Sequence, residues 1–174
     1  MTTVHVTSDF NVEASINAAL QTAFNAVSMP AWLSTPAVVY DWPEITANTP
    51  CFSIIHYTNA LSDNYQGRGD GAGNSTVRAS GLMEVSAWVS RDQKYNGQDV
   101  WAARIRFMEG MINSVFTANP VILIKDYMTS QTSPTATAYK VNMKNVNFIQ
   151  VADDPNPAIR RRKALISYFW DLRA

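Results

Sequence analysis

The chain has one cysteine, Cys51, and only two histidines, His5 and His56, among its 174 residues. A lone thiol excludes an internal disulfide, and no second thiol exists to build a cysteine-rich metal site. Neither histidine stands at zinc-ligand spacing from another ligand, so no metal is expected. Charge is sparse too: 16% of residues are charged, against an average near 25%. Fourteen residues of each sign leave a net charge of zero, which provides no overall field to gather nucleic acid or an anionic membrane. Long apolar runs are absent, since stretches such as VILI fall far short of the ~20 residues that span a bilayer. The start, MTTVHVTSDF, lacks the basic and apolar segments of a signal peptide. These features predict synthesis in a reducing cytoplasm, with no membrane partner.

The composition is 47% hydrophobic and 11% aromatic, enough for one packed core, and the length suits one domain over residues 1–174. Sparse charge on a small chain also suggests surface reserved for other subunits, because contact surfaces are depleted of charge.

Periodicity supplies the element order. Val12, Ile16, Leu20, Phe24 and Val27 recur at helical spacing, predicting an amphipathic helix over 9–27, with Ser8 or Asp9 as its cap and Pro30 at its exit. AVVYDW and CFSIIHYT, rich in β-branched and aromatic residues and bounded by prolines, read as strands. A glycine-rich stretch, NYQGRGDGAGNST, follows. Beyond it, Met83, Val85, Ala87 and Val89 alternate with Glu84, Ser86, Trp88 and Ser90 in a long strand. Trp101, Ile105, Met108, Ile112 and Val115 mark a second helix over 97–116, with Asn96 as the expected cap. VILIKDY reads as a buried strand and 129–137 as a loop or long hairpin connection. The segment 139–151 is extended, with a bulge where its alternation slips between Met143 and Val146. The closing segment 160–173 is a strand with Ala164, Ile166, Tyr168, Trp170 and Leu172 on one face. The fold class is therefore α+β, two helices packed on a mostly antiparallel or mixed sheet.

Candidate chemistry is thin. The glycine stretch is followed by a strand and not a helix, so it lacks the geometry of a phosphate cradle, and no nucleotide fingerprint is present. Arg68-Gly69-Asp70 has no supporting extracellular features. Cys51 and His56 are separated by an odd number of positions, which on one strand puts them on opposite faces and excludes a local dyad. Asp153-Asp154-Pro155 is turn chemistry, and Asp41 and Glu44 merely flank Trp42-Pro43. No catalytic residue and no cofactor is expected. Arg160, Arg161, Arg162 and Lys163 form the densest charge run and read as a gatekeeper beside an apolar strand or as a subunit contact, ahead of DNA binding. Trp88, Trp101 and Trp170 read as core or interface residues.

The order of elements resembles the tail terminator and tail-completion proteins of long-tailed bacteriophages. The likeness runs from the helix ending near SMPAWLS through VVYDWPE, CFSIIHYT, the glycine-rich excursion before GLMEVSAWVSRDQ, and GQDVWAARIRFMEGMINSVF to ALISYFWDLR, almost the whole chain. It implies a structural virion subunit, assembled in the host cytoplasm, that forms a homohexameric ring. Such a ring would bind tail tube protein on one side and head-neck connector or adaptor proteins on the other, and non-specific contact of the ring lumen with DNA stays open. On this resemblance the loop 62–75, with Gly67, Arg68, Gly69, Asp70, Gly71 and Gly73, is expected to order against the tube or a neighbouring subunit. Another neck component, and a small hydrolase, remain as alternatives.

Overall fold

The computed structural model describes residues 7–40, 50–57, 76–92, 94–149 and 158–173. Helix α1 spans Asp9–Asn25 and begins as expected, with the Ser8 hydroxyl accepting from the Asn11 amide. Val12, Ile16, Leu20 and Phe24 form its buried stripe. Helix α2 spans Trp101–Ala118 and buries Ile105, Met108, Met111, Ile112, Val115 and Phe116. Asn96 does not cap it. Asn96 and Gly97 both have positive φ, 51° and 77°, and turn a short hairpin between β4 (Lys94–Tyr95) and β5 (Gln98–Asp99). Asn-Gly is the dipeptide that tolerates two left-handed residues in succession, so turn chemistry wins over capping here.

The main sheet has six strands: β1 (Ala37–Tyr40), β2 (Cys51–Tyr57), β3 (Thr76–Ser90), β6 (Val121–Asp126), β7 (Thr135–Ile149) and β8 (Ile159–Arg173). Their spatial order is β1-β2-β3-β8-β7-β6. β1 runs parallel to β2 and every other neighbouring pair is antiparallel, so the sheet is mixed and the fold is α+β. The register between β7 and β8 shifts between Met143 and Val146, where the alternation of the sequence slips.

Both helices pack on one face of this sheet. α1 lies against β6, and α2 against β3, β7 and β8. Met83, Val85, Ala87 and Val89 of β3 meet Ala164, Ile166, Tyr168 and Trp170 of β8 and the helix stripes in one core. VILIKDY departs from expectation: Ile122 and Ile124 are buried, while Val121 and Leu123 are about half exposed. The strand lies at the sheet edge and is covered on one face only, so it alternates. Among the described residues no helix is long and apolar enough to cross a membrane.

Candidate assembly surfaces

Strand alternation splits the basic run of β8 in two. Arg160 and Arg162 point to the helix side, where the Arg160 guanidinium lies 5.5 Å from the Trp101 ring centre and Arg162 pairs with Glu109 of α2 at 3.5 Å. Arg161 and Lys163 point to the opposite face, onto Glu84 of β3. Glu84 is fully buried. Its carboxylate also accepts from the Tyr57 hydroxyl at 2.8 Å and the Ser86 hydroxyl at 2.9 Å. Arg161 further donates to Ser86 at 3.0 Å and stacks over Trp88. Burial, with the Arg161 charge beside it, pulls the Lys163 ammonium below its ordinary value. A carboxylate held by two cations and two hydroxyls satisfies the condition under which a buried charge is tolerable. The run thus engages groups within the chain; β3 pairs all four of its residues on one edge, and β7 reaches Lys163 on the other.

Cys51 and His56 fall on opposite faces, as their spacing requires. Cys51 is buried with Trp88 and Ile159, and burial pushes its thiol up to about 11, which leaves little thiolate at neutral pH. His56 faces the helices. Its Nε2–H donates to Asn17 Oδ1 at 2.8 Å and its Nδ1 accepts from the Tyr168 hydroxyl at 3.2 Å. Burial lowers its pKa to about 4, so the ring is neutral at pH 7. Among the described residues no group of three or more His, Cys, Asp or Glu could hold a metal ion. His5, Asp41, Glu44, Asp153 and Asp154 lie outside the described residues, as do Gly67, Arg68, Gly69, Asp70, Gly71 and Gly73.

The feature that sequence reasoning missed is the treatment of the β6 edge. Pro120 and Ile124 turn their carbonyls toward β7, accepting from the Met143 amide and the Thr137 hydroxyl. Alternation then directs the backbone groups of Val121, Leu123 and Lys125 outward. Two buried polar residues of α1 cover the far half of this edge: Ser15 accepts from the Lys125 amide at 2.8 Å, and Asn11 Oδ1 accepts from the amides of Tyr127 at 2.8 Å and Met128 at 3.2 Å. The near half, at Val121 and Leu123, borders a groove of about 680 Å³ between α1 and the end of α2, walled by Ala18, Ala23, Ala26 and Ala118. The available signal was a pair of polar residues, Asn11 and Ser15, one helical turn apart beside the apolar stripe.

No protein-family model and no curated protein matches the chain. A solved structure known only by a serial designation superposes with a TM-score of 0.52, covering 95% of this chain and 96% of that one at 12% identity. At that identity the likeness is one of fold alone.

Proposed function

We propose that the protein is a structural subunit of a bacteriophage tail, a terminator that assembles as a homohexameric ring, caps the tail tube and offers the surface to which the head-neck proteins attach. The observation that carries this reading is the half-covered edge of β6. A free strand edge beside an apolar groove invites an extended segment of another subunit, because backbone hydrogen bonds and groove-filling side chains then add together. The sheet ends in different strands, β1 on one side and β6 on the other. Contact between unlike surfaces of successive copies is heterologous and closes as a ring when its rotation closes. Capping follows from geometry: one face of the ring matches the last tube ring and the other accepts no further tube subunit. The element order, which resembles the terminator family, supports the same assignment, and no step of this role calls for a catalytic group or a cofactor. The virion is the corresponding location.

The test is the mass of Val121→Lys and Leu123→Lys in solution and in the presence of tail tubes. Both positions are exposed, so the variants should fold as the parent does but fail to form rings. Rings of unchanged stability would remove the β6 edge from the assembly mechanism.

A further inference from the structure

The sheet face opposite the helices carries more positive than negative charge. On its β6-β7-β8-β3 part, Lys125, Lys140, Lys144 and Arg78 are all exposed, and the exposed carboxylate among the described residues of that area is Asp171, paired with Arg78 at 3.2 Å. Their placement follows from the register. Val121, Leu123 and Lys125 lie on the face away from the core of β6, and Leu123 opposes Lys140 while Val121 opposes Asn142. Asn142 opposes Phe169, and Arg78 opposes Asp171. Phe169 sits between two of the cations, with the Arg78 guanidinium 4.7 Å and the Lys144 ammonium 5.8 Å from its ring centre. With strands roughly 5 Å apart and residues ~3.3 Å apart along each, the four cations share a patch about 15 Å across the strands and about 20 Å along them. The protein is neutral overall, so this surplus on one open face is a segregation of charge. The cations come from three separate strands, which is why no basic run in the sequence announces them.

We infer that this face binds the phosphate backbone of duplex DNA. Three exposed lysines on one sheet face are unlike the core of a protein-protein contact, which is depleted of lysine. They are what a polyphosphate requires: compact ammonium groups that displace condensed counterions without reading bases. Val121 and Leu123 lie at the border of the patch and belong to the edge described above. The DNA surface stands on the sheet face alone. Its placement along the lumen of a ring, where the packaged genome passes, rests on the reading proposed above.

The experiment is fluorescence anisotropy of a labelled duplex of random sequence, titrated with the full chain over a salt series beginning at about 50 mM, where phosphate contacts are strong. Two charge-matched variants are compared: Lys140→Gln with Lys144→Gln on the face, and Lys94→Gln with Arg106→Gln, exposed positions elsewhere. Loss of two phosphate contacts should weaken binding at least ~10-fold and reduce the log–log salt slope by about 2, while the second pair stays close to the parent. Equal losses in both pairs would overturn the proposal, and so would an absence of salt-dependent binding by the parent. If the face variant loses self-association but keeps its DNA affinity, the face is a subunit contact and the proposal falls. Capping of tubes by a protein whose DNA affinity ignores the face would refute the DNA surface and leave the ring. DNA binding through the face by a protein that never caps tubes would do the reverse.

Discussion

A methyl group at Gly81 would lie 2.4 Å from Cζ of Tyr168, whose ring covers that glycine across the β3-β8 pair. The ring is fixed by its stacking on Trp170, so it has little room to yield. Gly81→Ala should therefore destabilise the fold by ~1–3 kcal/mol, an overpacking cost. Gly110→Ala, with nothing within 4 Å on helix α2, should stabilise it by up to ~1 kcal/mol; paired denaturant titrations decide both. His56 makes a pH prediction. Its folded pKa, about 4, lies below the ordinary 6.5, so between those values the unfolded chain binds more protons and stability falls as pH falls. The loss, complete near pH 4, is at most about 3 kcal/mol. Melting curves from pH 7 to pH 4 should show it, and His56→Gln should flatten that part of the profile. Removing the Glu84 carboxylate as Glu84→Ala leaves Arg161 and Lys163 facing each other without their shared anion. That change should cost on the order of 3 kcal/mol, well above the cost of Glu109→Ala at the more exposed pair with Arg162, where less than ~1 kcal/mol is expected.

The elements were largely legible in the sequence because their periodicities are strong and their cores are one-sided. The first helix, the long β3, the bulge in β7 and the closing strand lie where alternation and capping residues put them, while α2 begins at Trp101, four residues later than expected, because Gly97 to Asp99 complete the β4-β5 hairpin. Asn96 went the other way because a residue good at capping is also good at left-handed turns, and only the following Gly97 discriminates. The half exposure of β6 was not legible, since VILI reads the same at an edge as in the middle of a sheet. The split of Arg160–Lys163 follows from strand alternation, but their partners Glu84, Glu109 and Trp101 lie on elements distant in sequence. The covered half of the β6 edge gives an element-scale prediction. Ser15→Ala leaves the Lys125 amide without its acceptor and should cost about 1–3 kcal/mol. It should also increase self-association, because the exposed edge lengthens; light scattering against denaturant stability separates the two effects.

At the scale of the molecule, the chain combines a two-layer core, an edge closed along only part of its length, and a basic sheet face on a neutral chain. In the ring we propose, the open edge would serve closure and the charged face would meet DNA. The alternatives differ in what the protein ends. A neck adaptor would join the portal and leave tubes unmodified, and a hydrolase would need neither rings nor tubes. The central claim is therefore tested most directly by negative-stain microscopy of assembled tail tubes mixed with the purified protein. The account predicts a ring seated at one end of each tube and an end to further growth when tube subunits are added. Bare tubes that continue to elongate at both ends in the presence of folded protein would contradict it.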